Sequence, residues 1–312
     1  MKTGYLFTGI GGGGGAARFA VEGSLVASIL YPSYRYLPYG RSSKSEPKVT
    51  PEAQEKQDAF FKTFLVGVTP LLLLDYDGTL APFRLNRFLA RPWAGVRERL
   101  GRIQMQGKTR LAVVTGRPAA EIAPLLGLVP PLEVWGLHGA ERLYPDGRRQ
   151  LESAAAPAQQ KLEELRQYLR RDNLGGLFED KPNAVVMHWR GASPQHARLI
   201  EIRARELFEP AAHGNGLRLL EFESGVELRV GRDKGGAVEA ILLEAAPDAP
   251  VAYLGDDLTD EAAFRAVNRT GVRGLSVLVR RQPRQTGAHI WLRPPAELKA
   301  FLERWAKALS SV

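Results

Sequence analysis

Two carboxylates stand two positions apart in Asp75-Tyr76-Asp77-Gly78-Thr79-Leu80, next to a glycine that permits a tight turn. One such acid can attack phosphorus while the other handles protons. An Asp-x-Asp-Gly segment also opens calcium loops, but from Leu80 onward the spaced oxygen ligands and terminal glutamate of such a loop are missing. A plain Asp-Gly turn is the simpler alternative. Thr115-Gly116-Arg117 offers a hydroxyl and amides at a helix start, a combination that binds a phosphoryl oxygen and equally well caps a helix. Lys234 opens a helix after Gly231-Arg232-Asp233; taken alone, it reads as a surface lysine. Gly255-Asp256-Asp257-Leu258-Thr259-Asp260-Glu261 gathers four acids, more than capping by Asp257 or Thr259 requires. Acids so crowded repel one another unless a cation sits among them, and oxygen ligands of this kind suit Mg²⁺.

Strands and helices must hold these islands, and the apolar pattern supplies them. Leu71 to Leu74, Arg110 to Val114, Glu133 to Leu137, Val251 to Leu254 and Ser276 to Val279 are continuous apolar runs suited to buried parallel strands. Helical spacing lies between them, at 58–65, 93–106, 118–126, 234–244, 260–267 and finally 296–309. The first, second and last islands thus follow strands directly, at the edge of an open α/β sheet where ligands bind. A hairpin is expected from Glu141 to Leu151, around Pro145-Asp146-Gly147. The middle differs. Helices over 158–171 and 194–208 each precede a strand pair, at 176–179 with 184–189 and at 217–222 with 226–230, which predicts an antiparallel sheet covered by helices. The expected organisation is an α/β core with a parallel sheet at 58–152 and 231–312, an inserted α+β cap domain at 153–230, and a tail at 1–57 that is flexible or mis-started. The glycines from Gly9 to Gly15 match a dinucleotide fingerprint only by their number, and no acid stands at the distance such a site needs.

The 312 residues contain no cysteine, which excludes disulfides, thiolate metal sites and cysteine nucleophiles and agrees with a reducing compartment. No apolar run is long enough to span a bilayer, and Met1-Lys2-Thr3 followed by glycines makes a poor secretory signal. A net charge of +9 suits an anionic substrate and equally an arginine-rich solvated surface. The densest basic stretch runs from Arg265 to Arg304, and its arginines are interleaved with strand-like and helix-like patterns rather than gathered in a tail, so nucleic acid is not an expected partner.

Asp-x-Asp-Gly-Thr, Thr-Gly-Arg, Lys and Gly-Asp-Asp, in this order and each at its proper element, resemble the four motifs of the haloacid dehalogenase (HAD) phosphotransferases, over about residues 64–308. The wording of Leu74 to Pro82 and Tyr253 to Phe264 is similar to the trehalose-6-phosphate phosphatase family. So is that of Gly136-Leu137-His138-Gly139-Ala140-Glu141, Glu179-Asp180-Lys181, His188-Trp189-Arg190, Glu227-Leu228-Arg229 and Trp291 to Pro295. Thr115 departs from the commoner serine but keeps the hydroxyl. The resemblance implies a HAD-like Rossmannoid core and Mg²⁺-dependent hydrolysis of trehalose 6-phosphate through a phosphoaspartyl intermediate. Asp75 is then the nucleophile, Asp77 the acid and base, and Thr115 and Lys234 complete the catalytic set. Mg²⁺ is held by Asp75, the backbone carbonyl of Asp77 and Asp256, with Asp257 and, further out, Asp260 beside it. Phosphate is bound by Thr115, Gly116, Arg117 and Lys234, and sugar by His138, Glu141, Glu179, Lys181, Arg190 and Glu227. A cytoplasmic monomer without membrane or nucleic-acid partners is expected. The rival readings are a phosphatase of another ester, such as sucrose 6-phosphate or mannosyl- or glucosyl-3-phosphoglycerate, and a non-catalytic sugar-phosphate sensor.

Overall fold

The structure is a computed structural model and describes residues 50–84, 86–152, 156–171, 178–181, 183–213 and 216–311. Residues 1–49 of the expected tail, the glycine run among them, lie outside the described residues, as do positions 176 and 177 of one expected cap strand.

Eight strands form the larger sheet: β1 (Leu71–Leu74), β2 (Arg110–Val114), β3 (Glu133–Gly136), β4 (Glu141–Leu143), β5 (Arg149–Leu151), β10 (Val251–Gly255), β11 (Gly274–Val279) and β12 (Ile290–Leu292). Their order is β12-β11-β10-β1-β2-β3-β4-β5, parallel from β12 to β3, with β4 and β5 added antiparallel as the expected hairpin. Side chains alternate across each strand, so the apolar runs feed both faces. Leu72, Leu74, Val113, Val134, Leu254 and Val277 pack with α1 (Pro51–Phe61), α2 (Val96–Met105), α3 (Ile122–Leu126) and α8 (Ala296–Ser310). Leu71, Leu73, Val114, Trp135, Val251 and Tyr253 pack with α6 (Lys234–Leu243) and α7 (Glu261–Asn268).

The first helix corrects the expectation. It spans 51–61 rather than 58–65, so residues 51–57, assigned to the tail, belong to a packed helix. Thr50 caps it by accepting from the Ala53 amide at 3.2 Å, and Pro51 stands in the first turn, where its missing N–H costs nothing. Its C-terminal end anchors Phe60 against Trp305 of α8, and Phe64 meets the same indole edge-on at 5.0 Å.

The second sheet is antiparallel throughout, ordered β6-β7-β9-β8 from β6 (Phe178–Lys181), β7 (Ala184–His188), β8 (Leu217–Phe222) and β9 (Gly225–Val230). One face carries Phe178, Val185, Met187, Leu217, Val226, Leu228 and Val230 against α4 (Ala156–Arg171) and α5 (Pro194–Ala212). The alternate positions, Glu179, Lys181, Glu227 and Arg229, turn to the other face, and Glu227 and Arg229 are fully buried there. The chain leaves the first sheet after β5 and returns before α6 at neighbouring points. Glu152 Oε2 accepts the Arg232 amide at 3.1 Å across that gap.

Candidate active site

The ends of β1, β2 and β10 and the start of α6 meet at one place. Asp75 follows β1, and its amide donates to the Leu254 carbonyl at 2.8 Å, which ties the turn to the neighbouring strand. Its carboxylate is buried, accepting from Lys234 Nζ at 2.7 Å and from the Thr79 hydroxyl at 3.2 Å. Lys234 reaches it because Asp233 caps α6, accepting from the Gly236 amide at 2.9 Å and fixing the helix start. The same ammonium donates to Asp260 Oδ1 at 2.8 Å.

Asp256, at the end of β10, completes a group with Asp75 and Asp260 whose carboxylate oxygens all lie within 4.8 Å of one another. Burial first, then Lys234, Asp260 and Asp77 acting in opposite directions, leave the Asp75 carboxyl pushed up to about 7. Burial, then Asp75 and Asp260, push Asp256 well above the usual carboxylate range. Burial alone would lower Lys234, but Asp260 and Asp75 more than offset this and hold it charged. Three acids against one ammonium leave the pocket short of positive charge. Among the described residues no donor reaches the Asp256 carboxylate, and Gly78 (φ +83°) leaves the space beside it open: a Cβ there would stand 2.0 Å from Asp256 Oδ2. This donor set fits a hard divalent cation held by oxygen.

Asp260 is drawn deeper than a ligand requires. Its oxygens accept from Lys234, from the Tyr253 hydroxyl at 2.6 Å and from the amides of Asp256 and Asp257, both at 2.9 Å. It holds the loop in shape, in line with the outer position expected for it. Asp257 departs from the expectation. Its side chain accepts from the Leu258 amide at 2.7 Å and the Glu223 amide at 3.3 Å, and it stands outside the acidic group. The short helical turn that follows needs a cap, and Asp257 provides it.

Asp77 has an unexpected partner. Arg117 Nε and Nη2 donate to its two oxygens at 2.6 and 2.5 Å as a bidentate pair. Arg117 was expected on phosphate. Its guanidinium is instead spent on Asp77 and the Arg87 carbonyl, and its amide donates to Thr115 Oγ1 at 3.2 Å. Thr115 is fully buried, with its hydroxyl hydrogen left to donate. Gly116 makes room for the His138 ring, whose Nε2 would lie 2.6 Å from a Cβ on that glycine. Leu137 and His138 both have positive φ (49° and 55°), which turns the imidazole over the loop. Burial, then Arg229, Lys234 and Lys181, hold His138 well below its ordinary pKa, hence neutral.

The cap places its polar face above this pocket. Lys181 Nζ donates to Glu227 Oε2 at 2.9 Å, and His138 Nε2 lies 3.8 Å from the same oxygen, so these three sequence-expected residues do come together. Glu179 bonds His188 at 3.1 Å and Arg87 at 3.2 Å; His188 first, with Lys181 and Arg87 helping against burial, holds its carboxyl down at about 2. Arg190 lies over the Phe83 ring at 4.6 Å. Glu141 is not available to a sugar. It accepts from the Ala119 amide at 2.7 Å and from Arg149 at 2.5 Å, because the turn after Pro118 leaves amides to satisfy.

Several contributors were not singled out from the sequence. Arg229 is fully buried, donating to the Leu137 carbonyl and, at 3.4 Å, to Glu227; alternation along β9 is the signal that would have placed it beside Glu227. Arg280 and Arg284, in the basic stretch, donate to the Asp256 carbonyl, and Arg280 also holds Glu223 of the cap at 3.1 Å. Arg87 has no local signal.

The trehalose-phosphatase family model matches residues 73–290. Trehalose-phosphate phosphatase of Mycobacterium marinum (strain ATCC BAA-535 / M) is 34% identical over 257 residues, covering 78% of this chain and 63% of its own length. The Mycobacterium ulcerans (strain Agy99) protein of the same name is 33% identical over the same shares. The chain therefore spans just under two thirds of the length of these curated relatives. Among solved structures, Aspergillus fumigatus trehalose-6-phosphate phosphatase has a TM-score of 0.61 at 25% identity, over 80% of this chain and 97% of that one. A HAD-superfamily phosphatase from Bacteroides thetaiotaomicron, at TM-score 0.54 and 18% identity over 78% of this chain and 97% of its own, shares the fold. The match takes in the Asp75 turn, the Thr115 loop, the polar cap face, Lys234 and the Asp256 loop, and on this ground the chain belongs to the trehalose-phosphatase family, built on the HAD fold.

Proposed function

We propose that the protein hydrolyses trehalose 6-phosphate to trehalose and phosphate in the cytoplasm, with Asp75 as nucleophile and Mg²⁺ as cofactor. The observation that carries this reading is the buried Asp75–Lys234–Asp260 group with Asp256 beside it, lying beneath a cap face of Glu179, Lys181 and Glu227. Residues 51–152 and 231–312 form the catalytic core in this reading, and 153–230 the cap.

Asp75 attacks phosphorus in line and forms the phosphoaspartyl group; water then hydrolyses it. Asp75 and Asp256, with the Asp77 carbonyl, would hold Mg²⁺, which supplies positive charge against the meeting of an anionic nucleophile with an anionic phosphate. Lys234 offsets part of the same repulsion and orients Asp75 through Oδ1, while Thr79 holds Oδ2. The Thr115 hydroxyl donates to a phosphoryl oxygen. Asp77 lies on the leaving-group side, protonates the sugar oxygen as the ester bond breaks, and takes a proton from the attacking water in the second step. Neutral His138 beside Glu227 and Lys181 offers donors and acceptors suited to hydroxyl groups.

Phosphate release from a panel of sugar phosphates, with Mg²⁺ and with EDTA, tests the proposal. Trehalose 6-phosphate is expected to be the preferred ester, with activity lost in EDTA and in Asp75→Asn. Preference for another ester would overturn the substrate and leave the chemistry. No turnover of any member with Mg²⁺ present would favour the sensor.

A further inference from the structure

A row of alternating charges runs from the cap to the acid–base carboxylate. Glu179 Oε1 accepts from Arg87 Nη1 at 3.2 Å, and Arg87 Nη2 donates to Glu121 Oε1 at 2.8 Å. The other Glu121 oxygen lies 3.8 Å from Arg117 Nη1, and Arg117 closes on Asp77 through its two short bonds. A second strand of contact runs beside the first: the Arg87 carbonyl accepts from Arg117 Nη1 at 2.7 Å. Arg87 thus meets the cap with its side chain and Arg117 with its backbone.

The position of Arg87 depends on few other contacts. It opens a short helical turn, Arg87–Leu89, capped by Asn86, whose side chain accepts from the Phe88 amide at 3.0 Å. The Tyr76 hydroxyl pins the far end of that turn by donating to the Ala90 carbonyl at 2.6 Å. The Arg87 guanidinium lies over the Phe88 ring at 5.3 Å and is otherwise held by the two carboxylates, one on the core and one on the cap. Glu121 Oε2 is buried and, among the described residues, has no hydrogen-bond partner. It therefore competes for the guanidinium that Asp77 now holds, and Arg87 limits that competition by taking up the other oxygen of Glu121.

The geometry points to Arg87 as a positioning residue that couples cap closure to Asp77: with Glu179 lowered onto it, Arg87 keeps Glu121 from drawing Arg117 off the acid–base carboxylate. This rests on the reading of Asp77 given above. An ester with a poor leaving group feels the alignment of Asp77; an aryl phosphate, whose leaving group needs no proton, hardly does.

The test compares Arg87→Gln, Arg87→Lys, Glu179→Gln and the Arg87→Gln/Glu179→Gln double variant on trehalose 6-phosphate and on 4-nitrophenyl phosphate. For Arg87→Gln, kcat on the sugar phosphate is expected to fall at least about tenfold, against about twofold at most on the aryl ester. Arg87→Lys is expected to recover most of the loss, and the double variant to have a kcat no lower than Arg87→Gln alone. In a crystal structure of Arg87→Gln, Arg117 is expected on Glu121. An equal fall on both substrates, additive losses in the double variant, or Arg117 still bidentate on Asp77 in that crystal structure would each overturn the proposal. If the wild type prefers another sugar phosphate, the trehalose reading fails and the kinetic comparison runs on that ester. If it cleaves none, the catalytic reading fails and the crystal structure still decides the role of Arg87.

Discussion

Replacing Lys234 by methionine keeps the length and most of the volume of the side chain and removes only its charge. In the folded chain that charge lies 2.7 Å from Asp75 and 2.8 Å from Asp260, with all three groups almost fully buried. Removing one partner of a buried ion pair costs roughly 3–5 kcal/mol, because the other charge stays behind uncompensated. At about 2–4 °C per kcal/mol for domains of a few hundred residues, the melting temperature in EDTA is expected to fall by roughly 6–20 °C. The pH dependence has a definite sign. The Asp75 carboxyl stands at about 7 in the fold against 3.8 as a free side chain, so its contribution to stability is complete below pH 3.8 and is lost as pH rises through about 7. Without Lys234 that loss extends to higher pH, so the deficit of the variant is smaller at pH 6 than at pH 8. Mg²⁺ restores the missing charge and is expected to stabilise the variant more than the wild type. Thermal and urea denaturation followed by tryptophan fluorescence, at both pH values with EDTA or Mg²⁺, measure all of this. An unchanged midpoint in EDTA at pH 8, or a deficit that shrinks as pH rises, would refute the reasoning.

Three further outcomes are expected. Asp77→Asn should lower turnover of the sugar phosphate by about 10² to 10⁴-fold while Asp75 is still phosphorylated by an activated aryl phosphate in rapid-quench experiments; equal losses on both donors would remove the acid role. Gly78→Ala places a methyl 2.0 Å from Asp256 Oδ2 at a φ of +83°, which costs about 1–2 kcal/mol in backbone strain and displaces the carboxylate. Its half-saturating Mg²⁺ concentration should rise at least about tenfold, and an unchanged value would mean that Asp256 does not hold the metal. Because Asp75 and Asp256 both titrate above the ordinary carboxylate range, Mg²⁺ must displace protons from them. Calorimetry should show apparent affinity climbing about tenfold per pH unit for each proton displaced below pH 7, and a flat profile would contradict the raised Asp75.

The core of the site was legible because its chemistry is local. A parallel strand is a continuous apolar run, and the residues just past its end face the ligand edge, so Asp75, Thr115 and Asp256 could be placed from their neighbours alone. What was not legible depends on reach. Arg117 finds Asp77, and Arg87 finds Glu179, across the fold, and no sequence spacing announces either pair. Asp257 and Asp260 illustrate a finer limit. Both sit in one acidic run, and only backbone geometry decides that Asp257 caps a turn while Asp260 collects four donors and faces Lys234. Glu141 resembled a sugar ligand by its wording, yet the unpaired amide of Ala119 claims it. Thr50-Pro51 was a readable helix start, hidden within a stretch whose Ser and Pro content suggested a tail.

The bond from Arg232 to Glu152 fastens the departing and returning chain together at one spot on the edge of the larger sheet. The chain therefore enters and leaves everything inserted between these two residues at one spot, and side-chain bonds such as Arg280 to Glu223 and Arg87 to Glu179 add to that attachment. An insert of different length or shape, grafted at 152 and 231 with Glu152 and Arg232 retained, is expected to leave the buried contacts of Asp75 with Lys234 and Thr79 undisturbed. Exchanging the insert would change which ester is accepted without rebuilding the reaction, and descent within such a fold can proceed the same way, with a new lid fitted over an inherited hearth.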